Sequence, residues 1–224
     1  MKISIIVFPG TNREHDMALA LKNAGASDVK LVWHKETSLP RQDLIIIPGG
    51  FSYGDYLRCG AMAAHSPIMK EVMEQVKSGV RLFGVCNGFQ ILVETGLLPG
   101  ALLHNNSLKF ICKQVHLKAV AEKGLLAKDS MIHVPVAHGE GNYFAHADLI
   151  REMEDHDQVA FRYCNENGEY TASANINGSS DFIAGVYSKD KRILGMMPHP
   201  ENAVLPHHGN QSAEGFFTQL LNAA

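Results

Sequence analysis

Arg81-Leu82-Phe83-Gly84-Val85-Cys86-Asn87-Gly88-Phe89-Gln90-Ile91-Leu92 reads as a short apolar strand that turns sharply at a cysteine and continues as an apolar helix toward Gly96. Glycines two places either side of Cys86 suit an elbow of the G-x-S-x-G type, with sulfur in place of oxygen. Such an elbow lifts its central side chain above the sheet and leaves little room for bulky neighbours. The helix opening just after Cys86 points its free N–H groups and positive dipole end at the sulfur, a setting that favours a thiolate. A lone cysteine is more often a small buried hydrophobe. Here the glycines and the switch from strand to helix favour a nucleophile.

Upstream of the elbow, strand and helix patterns alternate. Ile3 to Phe8 is a first strand: it stops at Pro9-Gly10, short of a signal peptide. Asn12 to Ala24 has helical spacing and meets Gly25 as a cap, Asp28 to Trp33 alternates as a strand, and Asp43 to Ile47 is a fully apolar strand. The last of these ends in Pro48-Gly49-Gly50-Phe51-Ser52-Tyr53-Gly54-Asp55, a glycine-rich loop. Ser66-Pro67 predicts an N-cap and a helix to Gly79. This alternation argues a doubly wound, mostly parallel α/β sheet, whose sites lie at the carboxyl ends of the strands. The glycine loop and Cys86 both fall at such ends.

Downstream the pattern changes to short strands near 114–121, 131–136, 159–163, 182–188 and 192–197, with helices near 146–155 and 212–222. These predict antiparallel strands appended to the same sheet. The 224 residues, 46% hydrophobic and without a break in composition, are expected to form a single domain, 1–224. A dispersed net charge of −3 with no basic run excludes nucleic acid as an obvious partner, and no apolar run approaches membrane length. Cys59, Cys86, Cys112 and Cys164 show no C-x-x-C pair, which suits a reduced, cytoplasmic protein, and no Cys/His cluster has metal spacing. His207-His208 reads as part of a solvated loop.

A thiolate that attacks a carbonyl needs an acid/base and a group to orient it. Gly195-Met196-Met197-Pro198-His199-Pro200-Glu201 offers both: the prolines predict an extended chain, in which His199 and Glu201 project to one side. The N–H of Asn87, next after the nucleophile, and that of Gly50 are the candidate oxyanion donors. Val136 to Asn142, with His138, Gly139, Glu140 and Gly141, is open to two readings, a substrate-contacting loop or a plain hairpin turn.

With these residues assembled, the chain resembles the class I, triad-type glutamine amidotransferases. More narrowly, the stretches 50–58, 84–90, 138–142, 175–178 and 195–201 are similar to the glutaminase subunits of phosphoribosylformylglycinamidine synthase, an enzyme of purine biosynthesis. The resemblance spans nearly the full length, and Phe-Ser-Tyr-Gly-Asp after two glycines is its most specific part. Asn202 departs from it, standing where many relatives carry arginine.

The resemblance implies a class I glutamine amidotransferase-like fold and hydrolysis of L-glutamine through Cys86, His199 and Glu201. It also implies substrate contacts from Gly49, Phe51, Gln90 and residues 138–141. Ammonia would pass to a separate synthetase subunit, which would hold ATP and magnesium, in a complex with a small accessory subunit. The sequence agrees by omission, having no Gly-Lys dipeptide for a phosphate-binding loop and no G-x-G-x-x-G. Two alternatives remain: a glutaminase serving another synthetase, against which residues 51–58 argue, and a cysteine-elbow redox or stress-response protein, which needs no His-x-Glu pair.

Overall fold

The computed structural model describes residues 1–223. The chain begins with strand β1 (Lys2–Val7), helix α1 (Glu14–Asn23), β2 (Asp28–Trp33) and β3 (Leu44–Ile47), followed by α2 (Ala61–Ala64) and α3 (Pro67–Lys77). The elbow is β4 (Arg81–Val85) and α4 (Asn87–Glu94). Then come β5 (Ala101–Leu103), β6 (Ile111–Ala119), β7 (Met131–His138), β8 (Asn142–Phe144), α5 (Ala147–Asp155) and β9 (Val159–Cys164). β10 (Ile183–Tyr187), β11 (Ile193–Met196) and α6 (Glu214–Asn222) complete the described chain.

Nine strands form one sheet in the order β2-β1-β3-β4-β11-β10-β9-β6-β7, and β5 pairs with β8 in a small second ladder. The first four neighbours are parallel, as the alternation predicts. β3 is buried along its length, as expected for a strand covered on both faces. The downstream strands are antiparallel to one another, with one correction. β11 runs parallel to β4, with Gly195 opposite Gly84 and Met196 opposite Val85, so the last strand is inserted into the middle of the sheet. The reason lies in side-chain size. A Cβ on Gly195 would collide with Phe89 and lie 2.6 Å from Leu98, so only glycine lets this strand slide under α4.

Alternation along β4 sorts the two layers. Phe83 points to α6, its ring 5.3 Å from Phe216, while Gly84 faces α4, where a Cβ would lie 2.9 Å from the Gly88 backbone. Burying an aromatic ring such as Phe83 or Phe216 completely contributes about 2–3 kcal/mol. α4 therefore lies almost directly on the sheet, and α6 is held off by side chains.

Three local expectations change. Ser66 occupies the N-cap position of α3, but its hydroxyl does not cap the helix; it hydrogen bonds the Tyr53 hydroxyl at 2.8 Å instead. Pro200–Asn202 is a turn of 3-10 helix rather than extended chain, because Pro200 takes the first helical position readily. His207 is exposed, as a solvated loop predicts, but the half-buried His208 ties that loop down: its Nδ1 accepts the N–H groups of Val204 and Leu205, both at 3.3 Å. α2, β5 and β8, each four residues or fewer, are too short to give a periodic signal.

A Cβ at Gly88 would collide with the carbonyl oxygen of Ile47, whereas one at Gly215, within α6, meets nothing within 4 Å. Gly88→Ala is therefore expected to lower the urea midpoint by the equivalent of about 3 kcal/mol, and Gly215→Ala to leave it unchanged or raise it slightly. Equal midpoints for the two variants would contradict the tight seating of α4.

Candidate active site

The turn from β4 into α4 puts its strain on the cysteine itself. Cys86 has φ 51° and ψ −108°, a left-handed backbone that costs a non-glycine residue of order 1–3 kcal/mol and persists only where the surroundings fix it. Two hydrogen bonds do so: the Cys86 N–H donates to Met196 O at 2.8 Å, and Cys86 O accepts the Gln90 N–H at 3.1 Å. The flanking glycines serve close packing of α4, not the turn. The side chain is 5% exposed, and its thiol donates to Ala137 O at 3.7 Å.

Three residues beyond Met196, the chain delivers His199. Its N–H donates to Pro135 O at 2.8 Å, and its Nδ1–H donates to Glu201 Oε1 at 2.7 Å, with both side chains buried. The 3-10 turn, not an extended segment, aims the two at each other. Burial would lower the imidazole's pKa, but the Glu201 carboxylate and then Cys86 outweigh it and raise it to about 10. His199 Nε2 has no well-aligned hydrogen-bond partner among the described residues. The Cys86 sulfur, whose charge and hydrogen bonding both favour the imidazolium, is the group in reach. The structure thus brings together the sulfur, the imidazole and the carboxylate.

The glycine loop closes on the same point. A Cβ at Gly49 would lie 2.7 Å from His199 Cε1, so Gly49 supports the imidazole and does not line the cavity. At Gly50, φ is +155° and a Cβ would lie 2.7 Å from Gly10 O. Gly50 bridges to Thr11 through the N–H groups of Asn12 and Phe51, leaving its own N–H outside that bridge. Asn87, first residue of α4, has an N–H with no intrahelical acceptor. Its side chain ties the two regions: Asn87 Oδ1 accepts the Ser52 N–H at 3.2 Å and its Nδ2 donates to Gln90 Oε1 at 2.9 Å.

A cavity of about 170 Å³ opens beside Cys86, walled by Gly50, Phe51, Gln90, Phe110 and the turn from His138 to Glu140. Gln90 lines it, but both ends of its amide are committed, since Nε2 donates to Glu140 O at 2.7 Å. His138 is buried and driven to a pKa of about 4 by desolvation and then by His199, so its neutral ring donates from Nδ1 to Asn105 Oδ1 at 3.0 Å. Gly141 is not part of the wall; it anchors the turn, its N–H on Asn105 Oδ1 at 3.1 Å and its carbonyl accepting from Asn177 Nδ2 at 2.7 Å.

Four residues of the site gave no chemical signal in the sequence. Asp55 and Cys59 line the cavity beside Glu140, with the Cys59 thiol between the two carboxylates. Burial raises the Asp55 pKa, the Cys59 thiol opposes that, and the charge of Glu140 adds to it; Asp55 Oδ1 is buried without a partner among the described residues. The Cys59 thiol is itself pushed far up by burial, then by Asp55 and Glu140. Asn105 and Asn177, fully buried, hold the turn from behind. Asp55 and Asn177 lay in stretches singled out beforehand, 50–58 and 175–178, but neither was named for a role. Among the described residues no group of three or more His, Cys, Asp or Glu is placed to hold a metal, and no helix is long and apolar enough to cross a membrane.

Comparison with known proteins points the same way. A sequence family described as the CobB/CobQ-like glutamine amidotransferase domain matches residues 1–219. Phosphoribosylformylglycinamidine synthase subunit PurQ of Pelagibacter ubique (strain HTCC1062) is 49% identical, covering 99% of this chain and 99% of that protein. The subunit of the same name from Rhodopseudomonas palustris (strain ATCC BAA-98 / CGA009) is 50% identical over 98% of this chain and 97% of its own. Among solved structures, a chain of PurLQS from Thermotoga maritima superposes with a TM-score of 0.86 at 38% identity, covering 99% of this chain and 98% of that one. A glutamine amidotransferase from Thermotoga maritima, 13% identical with a TM-score of 0.61 over 100% of this chain and 97% of that one, shares the fold.

Because the His199 pKa is raised above 6.5, the ion pair's contribution to stability is complete below about 6.5 and is lost as pH climbs through about 10. The gap in urea midpoint between wild type and Glu201→Gln is expected to be widest below pH 6.5 and to shrink toward pH 10. A gap that widens with pH would contradict the imidazolium–carboxylate pairing.

Proposed function

The chain belongs to the CobB/CobQ-like glutamine amidotransferase domain family, and from that membership we propose that it is the glutaminase subunit of a phosphoribosylformylglycinamidine synthase. It hydrolyses L-glutamine and supplies the ammonia to an ATP-dependent synthetase subunit, in a complex with a small accessory subunit, within purine biosynthesis. Residues 1–224 act as one glutamine amidotransferase domain in the cytoplasm. Relatives similar from end to end carry this name. The observation that carries the chemistry is the meeting of Cys86, which follows β4 and lines the cavity, with the buried pair His199 and Glu201, beyond the end of β11 and behind the cavity wall.

In the reaction, the Cys86 thiolate attacks the side-chain amide carbon of glutamine, forming a C–S bond. The charge that moves onto the amide oxygen is received by the N–H groups of Gly50 and Asn87; one such donor is worth about 3–4 kcal/mol of barrier. His199 gives its Nε2 proton to the amide nitrogen, the C–N bond breaks, and ammonia leaves a glutamyl thioester. Water then adds, His199 takes its proton, the C–S bond breaks, and glutamate departs with the thiolate restored. Glu201 holds the imidazole in the tautomer that keeps Nε2 toward sulfur. Phe51, Gly139 and His138 line the cavity, and Gln90 braces the Glu140 turn.

Asp55 and Glu140 are the only carboxylates among the described residues lining the cavity. Burial and then the charge of Glu140 raise the cost of ionising Asp55, and the α-ammonium group of glutamine placed beside the two carboxylates relieves it. Phe110 of the cavity wall, its near neighbour in sequence Leu108, and Tyr56 and Leu57, which follow Asp55, are exposed apolar side chains available to the partner that receives ammonia.

In the assembled complex, Cys86→Ala is expected to abolish glutamine-driven synthesis while ammonia-driven synthesis continues. His199→Ala should lose more glutaminase activity than Glu201→Gln, which retains the imidazole. Residual glutamine hydrolysis by Cys86→Ala at the wild-type rate would refute the nucleophile. For Asp55→Asn, KM for glutamine should rise about 10- to 100-fold, with a smaller fall in kcat and a weaker preference for glutamine over its analogue lacking the amino group. An unchanged KM would remove Asp55 from the substrate site.

A further inference from the structure

A larger cavity, of about 600 Å³, lies at the opposite end of the strands. Arg81 opens β4, Arg192 immediately precedes β11, and Arg41 and Asp43 precede β3; all four line it. Cys86 follows the far end of the same β4, roughly 17 Å away at 3.3 Å per residue, so an occupant here is not the reacting glutamine. Ligands of doubly wound sheets bind at the carboxyl ends of the strands, which leaves this second hollow without a role in the chemistry above.

Its charge is the reverse of the whole chain's. Five cations line it, Arg41, Arg81, Lys123, Lys191 and Arg192, against two carboxylates, Asp43 and Asp190, a local excess of three positive charges in a chain of net −3. The carboxylates are already engaged. Asp190 holds Arg192 at 2.7 Å, and Asp43 accepts the Lys2 N–H at 2.6 Å. Lys191 is bound to Asp157 at 2.9 Å. That leaves Arg41, Arg81 and Lys123 with no carboxylate partner among the described residues.

Arg81 is the most telling of the three. Half-buried at the start of a central strand, it spends one N–H on Leu220 O at 3.3 Å, and burial pulls its guanidinium below the usual range. A desolvated guanidinium with most of its five donors unused is costly unless an anion faces it. Arg41 is oriented beside it through the hydroxyl and carbonyl oxygens of Ser78, at 3.3 and 3.4 Å. Two planar forks and a lysine around one concavity match the oxygens of a phosphate group. The volume falls within the range of small-molecule sites, which favours a metabolite over a protein segment.

We propose that this cavity binds a small phosphate-bearing molecule, gripped by Arg81, Arg41 and Lys123. The probe is inorganic pyrophosphate, titrated calorimetrically into the full-length chain at low salt. One-to-one binding is expected, weakened about tenfold or more by Arg81→Gln and by the double variant Arg41→Gln/Lys123→Gln, and unchanged by Lys30→Gln, outside the cavity. Both residues of the double variant are exposed, so the test stands if Arg81→Gln fails to fold. No binding, or equal weakening by Lys30→Gln, overturns the proposal. So does a result in which the cavity variants loosen assembly with the synthetase while pyrophosphate does not bind, which would make the hollow a seat for an acidic protein segment.

Discussion

One rung of the sheet governs this molecule: the hydrogen bond from the Cys86 N–H to Met196 O, which extends the parallel ladder of β4 and β11 past its last paired residues. It fixes the strained backbone of Cys86, and it does so from the strand that delivers His199 three residues later. Two segments more than a hundred residues apart are thereby registered to within one peptide. The ladder requires glycine at 84 and 195, face to face, because α4 rests directly on that face. Fold and chemistry are here the same constraint.

Around that rung the side chains divide into the proposed reacting groups and those that hold them in place. Glu201 secures the imidazole and Gly49 leaves it room. Asn87 joins the glycine loop to α4, and Asn105 and Asn177 brace the turn that closes the cavity. Tyr53, hydrogen bonded to His34 at 2.7 Å as well as to Ser66, anchors the loop that carries Asp55. Most of these amides are buried and satisfied, which makes a rigid frame around a small cavity.

The parallel half of the fold was legible because its strands are continuous apolar runs punctuated by glycine and proline. That Cys86, His199 and Glu201 belong together was legible because their neighbours have chemical reasons to be there; the structure pairs the last two and sets Cys86 against His199. The insertion of β11 was not, since strand patterns carry no information about which neighbour a strand chooses; the clue was Gly195, whose meaning depends on the ring of Phe89 above it. Asp55 was passed over as one residue of a glycine-rich loop; Cys59 follows it by four residues but outside a helix, and its other partner, Glu140, lies far along the chain where no spacing rule connects the two. Gln90 and Gly141 were expected at the substrate, yet their polar groups are turned to holding the Glu140 turn. The basic hollow at the far end of the sheet draws its residues from five separate segments, so no stretch of sequence announces it.

Most directly decisive is mass spectrometry of the complex quenched with acid during turnover of glutamine. The account predicts a glutamyl thioester on the peptide containing Cys86, formed far more slowly when His199 is replaced by alanine. An adduct on Cys59 instead, or one on Cys86 that forms at the same rate without His199, would contradict it.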